Sequence, residues 1–396
     1  MNKKFFKGVL VCETPFAIGS GKNDYTDTDV LLDDTGNPFI PGTTLAGVCR
    51  HYLEDCGYNT NNLFGYISYE AKKYNGEEVY PRSESRIIFY ESFLKNEFKK
   101  RVRDGVAIED GVSKDGAKYD YEIIEAGCRF DFRFEIDNCS DEDLKMVSAL
   151  VNGFNNGIIR IGHKSNRGLG KFSVEALKEK TITDINELIK FEWSLVADDF
   201  VPTKEEASVY NEYTYDFAVK AFVLIADNAT LEKKDGKLIN AEALKNAKGM
   251  AVVPGSSWSG VIRSHFKRIL DDIEYVNANQ FLEKLFGNTN QASKIMFNET
   301  VIEDAVFINR TRNAIDRFTG GAGDKKLFTN QLAFGGKVKL NICLKKNGLS
   351  DQELKLTENL IKLTVEDLKD GYLSIGGLGS VGGGVLGELK EGDANA

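Results

Sequence analysis

The sequence predicts an α+β protein made of two tandem copies of one βαββαβ unit, and three observations predict it. First, a Pro-Gly turn that opens a helix occurs twice: Ile40-Pro41-Gly42-Thr43-Thr44-Leu45-Ala46-Gly47-Val48-Cys49-Arg50, and again as Val253-Pro254-Gly255-Ser256-Ser257-Trp258-Ser259-Gly260-Val261-Ile262-Arg263. Second, other landmarks recur in the same order: Leu63-Phe64-Gly65 with Leu285-Phe286-Gly287, and Ile87-Ile88-Phe89-Tyr90-Glu91 with Ile295-Met296-Phe297-Asn298-Glu299. Third, each copy closes on a glycine-rich loop and a last strand, in which Gly162, Gly168 and Gly170 match Gly376, Gly382 and Gly384. A shared order at nearly constant offset is the mark of an internal duplication.

The elements follow in sequence. Lys3 to Cys12 reads as a strand, since lysines interrupt its apolar run too often for a signal peptide or a membrane span. The Pro-Gly helix runs from Thr44 to about Cys56 and stops at Gly57, with Thr43 and Thr44 able to cap its start. Arg103 to Tyr119 and Arg312 to Phe328 read as long glycine-containing hairpins. Strands at 127–136 and 336–344 lead into helices with capping-box starts, Ser140-Asp141-Glu142-Asp143 and Ser350-Asp351-Gln352-Glu353. The polar segment around 178–208 divides the copies, giving domains over 1–200 and 205–396, each with the order of a ferredoxin-like core carrying a large insertion.

Composition limits the chemistry. Of 396 residues 42% are hydrophobic, enough for ordinary cores. The six Cys form no C-x-x-C pair, which fits free thiols in a reducing cytosol, and three His leave little for histidine-based catalysis. The net charge of -9 argues against non-specific nucleic-acid binding, although Lys95 to Arg103 and His163 to Arg167 could line a basic groove on an acidic body.

Gly377-Leu378-Gly379-Ser380-Val381-Gly382 spells G-x-G-x-x-G, but only 14 residues follow, too few for the helix and acidic strand of a dinucleotide site. Both glycine loops read instead as places where a backbone comes close to something, either another backbone or a phosphate. His163, Lys164 and Arg167 favour phosphate at the first, and Val381 replaces the arginine at the second. Asp24, Asp27, Asp29, Asp33 and Asp34 crowd one segment, readable as a solvated acidic loop or as the holder of a divalent cation beside a phosphodiester.

The Gly-rich first turn, the Pro-Gly-x-x-x-x-Gly-x-x-Arg helix and the Arg-Gly-x-Gly loop resemble the RAMP superfamily of CRISPR systems, and nearly the whole chain is covered as two fused copies. The acid-rich segment ahead of Pro41 and the Phe-x-Glu strand resemble backbone subunits of type III effector complexes, with the tandem arrangement like that of type III-D systems. The resemblance implies two RRM-like palms that hold a CRISPR guide RNA, with hairpin thumbs at about 101–121 and 310–330 that wedge Ile108 and Ile315 into guide and target RNA. It implies that Arg50, Arg263 and the loop residues Gly162, His163, Lys164, Arg167, Gly168, Gly170, Gly376 and Gly382 contact RNA. Mg²⁺-dependent cleavage of target RNA maps to Asp27, with Asp29 and Asp24 as fallbacks and Asp227 as a second catalytic candidate. The partners implied are other RAMP subunits and the large subunit, in a prokaryotic cytoplasm and off the membrane. The alternatives are a purely structural guide-binding subunit and a CRISPR-RNA processing nuclease with His163 as base.

Overall fold

The computed structural model describes residues 2–21, 25–68, 72–74, 77–109, 112–203, 209–227, 233–234, 237–288 and 290–389. By contact the chain forms two units, one of residues 1–100, 123–165 and 169–209, the other of 101–122, 166–168 and 210–396.

The first copy runs in order through β1 (Lys3–Cys12), α1 (Gly42–Asp55), β2 (Ile87–Phe89), a hairpin β3 (Lys100–Glu109) and β4 (Val112–Ile124), β5 (Arg129–Asp137), α2 (Asp141–Asn155) and β6 (Phe172–Ile182), and of these the hairpin, over 101–122, belongs by contact to the second unit. Its antiparallel sheet runs β6-β1-β5-β2, with Asp198–Asp199 added beside β6. Alternation along β5 turns Phe130, Phe132, Phe134 and Ile136 to one face, where Phe6 stacks on Phe134 at 4.5 Å and Phe132 meets Phe154 of α2. The opposite face is partly covered by Phe191 and Trp193 against Phe5. In α1 the buried Leu45, Cys49, Tyr52 and Leu53 lie at helical spacing and supply the face that packs.

The second unit repeats this order with β7 (Tyr210–Val219), β8 (Ala226–Asp227), β9 (Ala241–Ala243), α3 (Gly255–Asp272), β10 (Ile295–Phe297), a hairpin β11 (Val306–Ile315) and β12 (Ala322–Phe334), β13 (Lys337–Lys345), α4 (Asp351–Lys369) and β14 (Leu386–Glu388). Here the sheet runs β14-β7-β13-β10, so the corresponding strands stand in the same spatial order in both copies. A second sheet joins β11, β12, β9 and β8. The core closes around Trp258, Phe266, Phe297 and Leu340, and the buried Trp258 indole donates to Thr300 Oγ1 at 2.9 Å.

Both predicted capping boxes form, at Ser140/Asp143 and Ser350/Glu353. The Pro-Gly helices start differently from expectation. Pro41 and Pro254 themselves are the N-caps, no side chain caps either helix, and Thr43, Thr44, Ser256 and Ser257 fall inside the first turn. The reason is the glycine: a Cβ on Gly42 would run into the carbonyl oxygen of Phe89, and one on Gly255 into that of Phe297. Only glycine lets the helix begin so close to the neighbouring strand, so Gly42→Ala and Gly255→Ala are each expected to lower unfolding stability by about 1–3 kcal/mol in urea titrations, the usual scale for overpacking.

His265 is 3% exposed between α3 and α4. Arg268 donates to its Nδ1 at 2.9 Å, which leaves the proton on Nε2, 2.7 Å from Asp367 Oδ2. Burial, with the Arg268 charge, holds its pKa below the ordinary 6.5 despite Asp367. Since the unfolded chain then binds the extra proton first, stability should be full above pH 6.5 and fall as pH drops through the lowered folded value. The drop in thermal midpoint between pH 7.5 and 5.5 should shrink in His265→Asn; an unchanged drop would refute the assignment.

Candidate functional site

The acidic loop is held by its own carboxylates. Ser20 N donates to Asp29 O and Leu31 N to Ile18 O, pairing 18–20 with 29–31 in antiparallel fashion. At the loop's tip the buried Asp29 accepts from Thr26 N and Thr26 Oγ1, each at 2.9 Å, and from Tyr25 N at 3.2 Å. Asp33 likewise caps its own turn, accepting from Thr35 N, Thr35 Oγ1 and Asn37 N, and the Asn37 donation is the first cause that holds its pKa low. Asp29 and Asp33 therefore shape the loop, whereas Asp27, between Thr26 and Thr28, is exposed at the tip. Asp24 lies outside the described residues.

The two glycine loops are close copies. Ile161 N donates to Gly170 O, His163 N to Ala17 O and Gly170 N to Pro15 O; Ile375 N donates to Gly384 O, Gly377 N to Leu224 O and Gly384 N to Phe222 O. Gly170 and Gly384 have φ of 75° and 74°, and a Cβ on either would strike the carbonyl of Ile161 or Ile375. These glycines are thus required by approach of backbone to backbone within the protein, whatever else the loops bind. Gly162 and Gly376 crowd Ala17 O and Leu224 O in the same way. Gly168 abuts the backbone of Asn298 and Glu299, whereas Gly382 faces open space.

Around the first loop, Arg167 is exposed and donates to Tyr119 Oη at 2.9 Å. His163 is half-buried, and burial first, then the Lys164 charge, lowers its pKa, which leaves it a neutral imidazole at pH 7. A neutral His163 adds no cation for phosphate, so charge here comes from Lys164 and Arg167. Among the helix residues, Arg50 donates from Nε to Glu54 at 2.8 Å, from Nη1 to Gly65 O and from Nη2 to Asn61, both at 3.2 Å. That guanidinium braces α1 against 61–65 on its own charge partner, and the bond lowers the pKa of Glu54. Arg263 is exposed, with its guanidinium 5.9 Å from the centre of the Phe286 ring. Gly47 and Gly260 each face open space, leaving a bare stretch of helix backbone at the same place in both copies.

Of the proposed wedges, Ile315 is 67% exposed near the end of β11, with Phe318 at 90% beyond it, while the side chain of Ile108 lies outside the described residues. Asp227 is placed unlike Asp27. The matched bonds His163 N to Ala17 O and Gly377 N to Leu224 O align Ala17 with Leu224, so Asp227 corresponds to Ser20. It is 6% exposed and pairs with Arg101 at 3.0 Å. Sequence reasoning missed Arg101 and Glu299; 196 residues separate Glu299 from its partner Arg103, and no local pattern signals such a pair.

Among the described residues no three His, Cys, Asp or Glu gather as a metal cluster, and no helix is long and apolar enough to cross a membrane. A model of the RAMP superfamily matches residues 9–173 and 217–386. The CRISPR system Cms endoribonuclease Csm3 of Methanocaldococcus jannaschii is 23% identical over 200 residues, covering 44% of this chain and 80% of that protein.

Proposed function

Because this chain belongs to the RAMP superfamily, we propose that it is a two-domain backbone subunit of a type III CRISPR effector, binding guide RNA and cutting complementary RNA at Asp27. The observation that carries the reading is the tandem match: one chain supplies two units of a family in which a similar protein is named an endoribonuclease. The order β6-β1-β5-β2, repeated in the second copy, supports ferredoxin-like palms, and the hairpins 100–124 and 306–334 are the thumbs. The bare helix faces at Gly47 and Gly260 and the exposed Arg167 and Arg263 suit close approach of an RNA backbone, while aromatic and aliphatic hairpin residues such as Ile315 and Phe318 suit stacking on unpaired bases.

A divalent cation fits this loop in a limited way. Asp27 offers an exposed carboxylate, and Mg²⁺ commonly takes one or two carboxylates, with substrate phosphate oxygens and water filling its shell. Asp27 would hold it, and when bound it would neutralise charge on the scissile phosphate. The remaining work falls to the chain: Asp29 fixes the loop so that the Asp27 carboxylate stays at the tip, and the palm holds the strand in place.

The alternative reading is a structural subunit whose neighbours cut. Both readings share guide binding. Sequencing RNA that copurifies with the full-length protein from its host tests that shared part: repeat-derived tags on short RNAs of uniform length are expected, and random cellular RNA would remove the CRISPR assignment. Neighbouring RAMP subunits and a large subunit should appear in the same purification, which the reading assigns to the prokaryotic cytoplasm.

A further inference from the structure

We propose that Asp227 and Glu299 are docking acids that fix the position of the hairpin β3–β4, and that Asp227 is a positioning residue that does no phosphodiester chemistry. The inference rests on the reading of the hairpins as thumbs only for its consequence on RNA.

Arg101 and Arg103 are two apart on β3 and so share a face of the strand. Arg101 Nη2 donates to Asp227 Oδ2 at 3.0 Å, and its Nη1 donates to Lys245 O. Arg103 grips both oxygens of Glu299 through Nη1 and Nη2, with both side chains about 95% buried. Behind the first pair, Asp227 stands opposite Glu242 in the β8–β9 ladder, and both acids are buried. Two neighbouring buried carboxylates need two cations. Lys245, 4.0 Å from Glu242, is one, and Arg101 is the other.

The network continues to the second hairpin. β9 lies parallel to β12, with Ala241 opposite Asn330 and Glu242 opposite Gln331. Lys245 also donates to Gln331 and sits 4.3 Å from the centre of the Phe307 ring on β11. A continuous path of ion pairs and strand pairing therefore runs from β3 through Asp227, Glu242 and Lys245 to β11 and β12. A carboxylate held in this way is committed to an arginine and to the spacing of two hairpins. If those hairpins kink a bound strand, the path sets the interval between the kinks and hence where the cut falls.

Hydrogen–deuterium exchange of the full-length protein tests the docking without RNA. Asp227→Asn should speed exchange in peptides from 101–109 and 112–122 by roughly tenfold or more, leaving 129–137 and 337–345 unchanged. The exchanged pair Arg101→Asp with Asp227→Arg should restore protection. Unchanged exchange in Asp227→Asn overturns the proposal. In the guide-loaded effector, with an end-labelled RNA complementary to the copurified guide, Asp227→Asn should keep total cutting within about threefold and spread the cut over adjacent nucleotides. Loss of one cut by a hundredfold at unchanged positions, with hairpin protection intact, would make Asp227 a catalytic group and overturn the proposal. Should the wild-type effector cut nothing, the cleavage reading falls, while the exchange result still decides the docking.

Discussion

Asp27→Ala in the assembled, guide-loaded effector should lower cutting of complementary RNA at one position by about two to four orders of magnitude, the range for losing a charge-stabilising or proton-transferring group. Guide binding should stay within about twofold, because the exposed Asp27 side chain lies at a loop tip and its removal leaves the palm and the glycine loops intact. Asp29→Asn separates shape from chemistry. It weakens three bonds that hold the tip and should lower cutting less, by about tenfold, since an amide oxygen still accepts from Thr26. Equal losses in the two variants would mean that the loop, and not the Asp27 carboxylate, matters. Unchanged cutting at every position in Asp27→Ala would leave the structural-subunit reading standing.

The second large effect is on stability. Glu299→Ala should destabilise the second unit by about 3–5 kcal/mol, because it strands the Arg103 guanidinium where water does not reach. Arg103→Met, which removes the cation and keeps the apolar stem, should cost less in combination with Glu299→Leu than Glu299→Ala costs alone, since replacing both members of a buried pair is close to neutral. Urea unfolding in a Trp193→Phe background, followed by the fluorescence of Trp258, reads both, and a cost below about 1 kcal/mol for Glu299→Ala would show that the pair is not sealed from solvent.

How much of this was legible in the sequence depended on the range of the interaction. The duplication, the capping boxes at Ser140 and Ser350 and the two hairpins are written in neighbouring residues, and the structure contains them. The matched glycines were visible, but not their cause: Gly170 and Gly384 could equally have faced a phosphate until the carbonyls of Ile161 and Ile375 were seen beside them. The helix starts moved because a Pro-Gly pair next to a strand fixes the first turn by contact, which overrides the preference of Thr43 and Ser256 for the cap. Asp27 stood out by its distance from Pro41, and the loop-shaping parts of Asp29 and Asp33 show only in the hydrogen bonds they accept from their own turns. Asp227 looked like its twin in composition and differs in surroundings. Its partner Arg101 is 126 residues away, beyond any pattern a single sequence displays.

The hairpin 101–122 and residues 166–168 group with the second unit although both are encoded in the first copy. During synthesis Arg101 and Arg103 leave the ribosome before the acids at 227 and 299 have emerged, so both stay in water until the second half has been made. For the same reason a gene split between the copies would yield a first half with two solvated arginines where the whole protein has anchored ones. Folding of the two copies is thus ordered in time by where their cations and carboxylates fall along one chain.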